Sequence, residues 1–155
     1  MLQGTIRLMT PQEADQVSQV IVASIRAALP SHYSQAAVDG LVAGNSPAEV
    51  LTHGPKQTDY VYELDGRIVA MLGIKRNEVG HLFVDPAFAG KGIGRTLVDF
   101  AAGQFRKAGY TDMIVMASLN AADFYARCGF VAESSGSFPV GDNVPLAFIK
   151  MRAKL

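Results

Sequence analysis

The chain has 155 residues, 49 % of them hydrophobic and 18 % charged, with a mean hydropathy of +0.17. That length can bury a core without staples, and the charge is too low for a disordered chain. Fourteen Lys and Arg balance fourteen Asp and Glu, which argues against bulk attraction to nucleic acid and leaves any bound anion to local geometry.

The single cysteine, Cys128, excludes an intramolecular disulfide framework and a multi-cysteine metal site. The apolar run from Val17 to Ile25 is too short to span a bilayer and follows Glu13 and Asp15 rather than a basic stretch. Neither a membrane span nor a signal peptide is expected, and the expected compartment is a reducing cytosol. With no repeat, low-complexity tract or long charge run, residues 1–155 read as one domain.

Thr5 to Met9 alternates and reads as a strand. Thr10, Pro11 and Glu13 then predict a helix start by a capping box with proline at the first helical position. Ala14, Val17, Ile21, Ile25 and Ala28 follow at helical spacing until Pro30 stops the run. From Ser34 to Thr52 the signal is broken by Gly40, Gly44 and Pro47, and two short helices are expected.

Asp59 to Leu64 and Arg67 to Ile74 read as strands joined by the Asp65–Gly66 hairpin turn. The second is apolar throughout its middle, as a strand covered on both faces would be. Arg76 and Asn77 turn the chain into a third strand, Glu78 to Val84, which Pro86 ends. Ile93, Leu97, Val98, Ala101, Phe105 and Ala108 mark a long amphipathic helix closed by Gly109. Met113 to Met116 reads as a buried strand, Asn120 as the cap of a short helix through Arg127, and Phe130 onward with Val144 to Met151 as the last strands. The fold class is mixed α/β, of the α+β kind, with a meander in the middle.

The segment from Val84 to Arg95 carries the clearest chemistry. A strand ends, Gly90, Gly92 and Gly94 alternate, and a helix begins. Main-chain N–H groups at a helix start lack intrahelical partners, and glycine lets an anion approach them, so the segment suits a phosphate. The competing reading is glycine used for turn geometry alone. A Walker loop is ruled out by Ala89 and Arg95, which stand where glycine and lysine belong. A dinucleotide fingerprint fails because Arg95 replaces its third glycine and a meander precedes the loop.

His81 to Pro86, the loop Gly90-Lys91-Gly92-Ile93-Gly94-Arg95, and the run Asn120 to Phe130 together resemble the GNAT superfamily of N-acetyltransferases. The resemblance covers Asp59 to Met151 and implies the GNAT acyl-CoA N-acyltransferase fold, a mostly antiparallel mixed sheet flanked by helices on both faces. It implies acetyl-CoA as cosubstrate, with its pyrophosphate on the main chain around Lys91, Gly92, Ile93, Gly94, Arg95 and Thr96. Ala89 departs from the Gln or Arg that opens the family's loop and removes one side-chain donor. Pantetheine is implied along Leu82, Phe83 and Val84, where a main-chain N–H polarises the thioester carbonyl. Asn120 either contacts pantetheine or caps its helix.

Tyr125 falls where the family places a tyrosine near the sulfur, and a neutral phenol can donate a proton to a departing thiolate. Phe124 and Phe130 read as core, Arg127 as a solvated helix end, and Cys128 as a structural thiol. For the base, Glu78 comes first: six residues before Val84, it shares that residue's face on a regular strand. His81 is second, on the opposite face unless a bulge intervenes, with an ordinary pKa suited to the task.

His32, Tyr33 and His53 fall in a region that the family often uses as a wall of the acceptor cleft, and no metal site is expected. The implied reaction is direct attack by a primary amine of a small molecule or peptide on acetyl-CoA in a ternary complex. Competing readings are a non-catalytic CoA-binding or ligand-sensing domain on the same fold, and a nucleotide-binding domain. The carboxyl-terminal edge strands suggest a homodimer.

Overall fold

A computed structural model describes residues 3–155. One seven-stranded sheet runs in the order β1-β2-β3-β4-β5-β7-β6. Its strands are β1 (Thr5–Leu8), β2 (Thr58–Leu64), β3 (Arg67–Lys75), β4 (Glu78–Val84), β5 (Asp112–Ser118), β6 (Val131–Val140) and β7 (Val144–Lys154). All neighbours are antiparallel except β4 and β5, which run parallel and pair only at Glu78 with Ile114 and at Val79 with Val115. Beyond Val79 the two strands part, and the gap between them organises the site.

Helices cover both faces. On one lie α1 (Ala14–Ala28), α2 (Gln35–Ala43) and α3 (Pro47–Leu51), packed through Val17, Ile21 and Ile25 onto Val61, Ile68 and Met71. On the other lie α4 (Ile93–Lys107) and α5 (Ala122–Arg127), where Leu97, Val98 and Phe105 meet Leu72, Val115 and Met151. Each such fully buried side chain contributes about 1.5–3 kcal/mol of apolar transfer, before entropy is subtracted.

The expected elements are present, with shifted boundaries. The capping box at Thr10 opens a 3-10 turn, Pro11–Glu13, before the α-helix proper begins at Ala14. Glu13 accepts the Thr10 N–H at 2.9 Å while Arg7 grips the same carboxylate at 2.6 Å, so Glu13 is anchored from outside the helix. Asp65 and Gly66 both take positive φ, as a two-residue hairpin turn with the twist of its strands requires. Gly40 of α2 lies so close to the β6–β7 turn that a Cβ there would stand 2.8 Å from the Gly141 nitrogen, which lets the helix wall press onto the far strands.

Two sequence expectations are corrected. Asn120 does not cap α5: the N-cap residue is Ala121, and Asn120 stands one place too early for its side chain to reach the first-turn N–H groups. Glu78 and Val84 do not share a face, because β4 carries a bulge. Gly73 pairs with His81 but Ile74 pairs with Val79, leaving Gly80 as an extra residue that reverses the alternation. Val79 joins Leu82 and Val84 in the core under α4, so Glu78 falls on the α1 side.

Candidate active site

The start of α4 is built to receive an anion. Gly90 and Gly92 take φ of 73° and 84°, a left-handed backbone that favours glycine, and together they bend the loop into the helix. The first helical bond runs from Thr96 N to Gly92 O at 3.0 Å. The N–H groups of Ile93, Gly94 and Arg95 therefore have no intrahelical partner. No acidic residue stands in the first turn to neutralise the helix dipole. Gly94 admits Phe124 against the helix, since a Cβ there would meet that ring at 3.1 Å.

The basic side chains nearby are less free than the sequence suggests. Arg95 donates to the Arg127 carbonyl at 3.2 Å and lies 3.8 Å from Asp99. The Thr96 hydroxyl donates to Gly92 O at 3.0 Å. Lys91 is exposed at the mouth of the loop.

Two cavities meet at the parted strands. A slot of about 150 Å³ on the α4 side is lined by Leu82, Val84, Gly94, Ala121, Phe124 and Tyr125. A cavity of about 140 Å³ reaches the α1 side, where His81 and Phe83 of β4 face Leu41 and Asn45. Leu82, Ala121 and Tyr125 line both. Antiparallel pairing with β3 uses alternate main-chain groups of β4, and the others point into the gap that β5 has left. Phe83 belongs to the α1-side cavity and not to the slot.

Tyr125 is buried, with Phe124 and Phe130 edge-on to its ring at 5.0 and 5.4 Å. Its hydroxyl has no hydrogen-bond partner among the described residues, and burial pushes its pKa well above the ordinary phenol value. It therefore stays a proton donor across the whole working range. Cys128, at the end of the same helix, is half-buried, and burial raises its thiol pKa, which keeps it a poor nucleophile. Arg127 is exposed.

His81 stands in a network that the sequence did not reveal. The Gln57 amide lies against its Nδ1, with Nε2 at 2.9 Å and Oε1 at 3.2 Å, so it can donate to a bare Nδ1 or accept from a protonated one. Gln57 Nε2 also donates to Asp59 Oδ1 at 2.7 Å, and His53 Nδ1 donates to Asp59 Oδ2 at 3.0 Å. The His53 and His81 rings stack at 4.7 Å. Burial, helped by His53 and opposed by Asp59, holds the His81 pKa down at about 4. The room for Gln57 comes from Gly73 and Gly80, where a Cβ would stand 2.2 and 2.9 Å from its amide.

The chain matches the profile of the acetyltransferase (GNAT) domain over residues 13–155. The chain belongs to the GNAT acetyltransferase family. Similar structures include a GCN5-related N-acetyltransferase from Rhodopseudomonas palustris, 25 % identical with a TM-score of 0.93, covering 100 % of this chain and 98 % of that one. The PaiA N-acetyltransferase of Thermoplasma acidophilum, solved in complex with coenzyme A, is 20 % identical with a TM-score of 0.78, covering 99 % and 100 %. No curated protein matches the chain in sequence.

In this GNAT domain the structure groups the residues singled out in the sequence into three places. Gly92, Ile93, Gly94, Arg95 and Thr96 form the α4 start, with Lys91 just before it. Leu82, Val84 and Tyr125 line the slot, and Phe83 and His81 line the α1-side cavity. Glu78 lines neither, while His32 is exposed on the helix side.

Tyr33 lines neither cavity but braces the wall: its hydroxyl donates to Ala147 O at 2.6 Å and accepts from Leu119 N at 2.8 Å, tying the α1–α2 turn to β7 and to the turn after β5. Asn120 has a buried Oδ1 with no hydrogen-bond partner. The residues missed were Gln57, Asp59 and Asn45, since isolated polar residues on three separate segments give no motif. Among the described residues no group of three His, Cys, Asp or Glu is placed to hold a metal, and no helix is long and apolar enough to cross a membrane.

Proposed function

We propose that this GNAT domain transfers an acetyl group from acetyl-CoA to a primary amine, with both substrates bound at once. The residues present fit that cosubstrate: three unpartnered N–H groups at the start of α4 suit its pyrophosphate, and the apolar slot suits pantetheine. When bound, acetyl-CoA supplies an activated acyl carbon.

The observation that carries the reading is Tyr125, a buried phenol whose hydroxyl has no hydrogen-bond partner among the described residues and whose side chain lines both the slot and the cavity. In the reaction the amine nitrogen bonds to the acyl carbon and the carbon–sulfur bond breaks. Tyr125 gives its proton to the leaving sulfur, and His81 takes the proton that the amine releases. A β4 main-chain N–H at the gap steadies the charge on the carbonyl oxygen.

His81 replaces Glu78 as base in this reading because His81 lines the cavity, whereas Glu78, on the same side of the sheet, stands where β4 still pairs with β5 and lines neither cavity. An imidazole with a pKa near 4 is a weak base. It suffices where an apolar cavity has already stripped the amine of its ordinary preference for the charged form. Holding both reactants in one channel supplies the largest share of the acceleration.

The test is release of free CoA thiol from acetyl-CoA with a panel of primary amines. Tyr125→Phe keeps the ring packing and is expected to lower kcat by about 10²–10⁴-fold while CoA binding stays within twofold. Tight CoA binding with no amine acetylated would instead identify a CoA-binding module without transferase activity.

A further inference from the structure

The Tyr33 hydroxyl takes the place of a rung in the sheet. β5 and β7 stay in register from Asp112 with Lys154 to Ser118 with Phe148, so Leu119 and Ala147 are the next residues to face each other. The phase of the ladder is set at its other end, where Leu155 N donates to Thr111 O at 2.9 Å. Antiparallel strands exchange main-chain bonds at every second pair, and Leu119 lies an even number of residues beyond Thr111. Leu119 N–H and Ala147 C=O are therefore due to bond each other. The β1–β2 and β3–β4 ladders do close in this way, with Met9 N on Asp59 O at 3.0 Å and Asp85 N on Val69 O at 2.8 Å. Between Leu119 and Ala147 no direct bond forms. The Tyr33 hydroxyl accepts from Leu119 N at 2.8 Å and donates to Ala147 O at 2.6 Å, so the rung runs through a side chain.

The inserted phenol belongs to a strut between the two walls of the α1-side cavity. Tyr33 N donates to Leu29 O at 3.0 Å, at the end of α1. Leu29 lines the cavity from the helix side, while Ser118, Leu146, Ala147 and Phe148 line it from the strands that Tyr33 joins. One residue thus holds both walls, by its main chain on Leu29 and by its hydroxyl on β7 and Leu119. Burial raises the phenol pKa, so the hydroxyl remains a donor to Ala147 at neutral pH. Without the ring between them, an N–H and a C=O in register are drawn into the direct bond that the ladder prescribes. The strand wall then shifts at its cavity end.

Resting on the acetyltransferase reading above, we propose that Tyr33 is a positioning residue for the acceptor amine: a spacer in the last β5–β7 rung, tied to Leu29, it holds the two walls of the α1-side cavity at the separation the amine needs. It lines neither the cavity nor the slot, so it acts through Leu29, Leu119 and Ala147. The start of α4 takes no bond from it, and CoA binding does not depend on it.

The experiment joins hydrogen exchange to kinetics. Tyr33→Phe keeps the spacer and loses the hydroxyl, whereas Tyr33→Ala loses both. By NMR the Leu119 amide is expected to exchange about 100-fold faster in Tyr33→Phe than in the parent, and to return to within about tenfold of the parent in Tyr33→Ala, where the direct rung closes. Thiol release is followed with methylamine, butylamine and phenethylamine as acceptors. The KM for the amine should rise about threefold or more in Tyr33→Phe and about tenfold or more in Tyr33→Ala, with kcat in Tyr33→Phe changed less than threefold. The Kd for CoA, by calorimetry, should stay within twofold in both.

A Leu119 amide that exchanges fast in both variants would overturn the spacer, because the strands would then not close when the ring is gone. An amine KM within twofold of the parent in Tyr33→Ala, or a CoA Kd that moves as far as the amine KM, would overturn the positioning role. If Tyr33→Ala does not fold, Tyr33→Phe decides alone, and an unchanged Leu119 exchange rate or amine KM overturns the proposal. Should the parent acetylate none of the amines while CoA binds, the transferase reading fails. Calorimetric binding of the same amines to the CoA-loaded parent and Tyr33→Ala proteins then decides the spacer independently: weaker binding in the variant upholds it, and equal binding or none in either overturns it.

Discussion

His81 makes the stability of this domain depend on pH. The imidazole holds its proton less tightly in the folded chain than in the unfolded one, with its pKa drawn from 6.5 down to about 4 by burial and by His53. Between those values the unfolded chain binds more protons, so folding stability falls as pH is lowered from 6.5 and stops falling through this group near pH 4. At about 1.4 kcal/mol per tenfold change in proton affinity, the window removes about 3 kcal/mol. A marginally stable domain of this size would feel that as a large share of its total.

The side chains facing His81 are His53, Asp59 and Gln57, and Gln57 does not titrate. Glu13 is held at about 2 by Arg7 and Glu133 is lowered by Arg152, so the stability these carboxylates lose falls below pH 4.5, at the acid end of the His81 window and beyond it. The assay is urea unfolding at half-unit steps from pH 7 to pH 4. The parent protein should lose stability smoothly below pH 6.5, while His81→Gln, which carries no titrating ring, should give a much flatter line. His53→Gln removes the second-ranked cause of the shift and should narrow the window from its acid side. An equal slope in the parent and His81→Gln proteins would refute the burial of a neutral imidazole.

Three further outcomes follow from the geometry. Gly92→Ala meets no steric contact, so its cost is that of a left-handed φ, about 1–2 kcal/mol; the KM for acetyl-CoA should rise several-fold while kcat at saturation moves less than twofold. Tyr33→Phe leaves Leu119 N–H and Ala147 C=O without the hydroxyl that joins them, which should cost about 1–3 kcal/mol and lower the thermal midpoint by several degrees. Gly73→Ala puts a methyl carbon 2.2 Å from the Gln57 amide. It also stands 2.8 Å from Asp59 Oδ1, so the Gln57 bonds to Asp59 and His81 should break at a cost of about 1–3 kcal/mol, and the His81 titration, followed by NMR, should shift.

Much of the fold was legible because its elements are punctuated locally. Thr10 with Glu13, Pro30, the Asp65–Gly66 turn, Pro86 and Gly109 each mark a boundary through a backbone preference acting within a few residues. The α4 start was legible for the same reason, since alternating glycines before an amphipathic helix state their geometry in the sequence. Asn120 shows where this stops: whether an asparagine caps a helix turns on a shift of a single residue, and its neighbours do not fix that. The Gln57, Asp59, His53 and His81 network was illegible because its members come from two segments 24 positions apart and meet only when β2, β3 and β4 are in register.

The bulge at Gly80 connects these points, because it decides which β4 side chains reach each face of the sheet. Counting along a regular strand makes Glu78 a partner of Val84, and the count is sound as far as it goes. One extra residue reverses it, and Gly80 is the residue that admits the reversal, being the place where the Gln57 amide comes within 2.9 Å of an added Cβ. The reversal puts Glu78 on the face of His81 and Phe83, but at the closed end of the gap, where β4 still pairs with β5. Val84 lines the slot, whereas the cavity that suits an amine opens on the other side of the sheet, where His81 and Phe83 lie. A site that passes through a sheet needs one set of residues on each face and a side chain at the gap that reaches both. In this domain that side chain is Tyr125, and only the parting of β4 from β5 after a two-residue parallel contact makes room for it to do so.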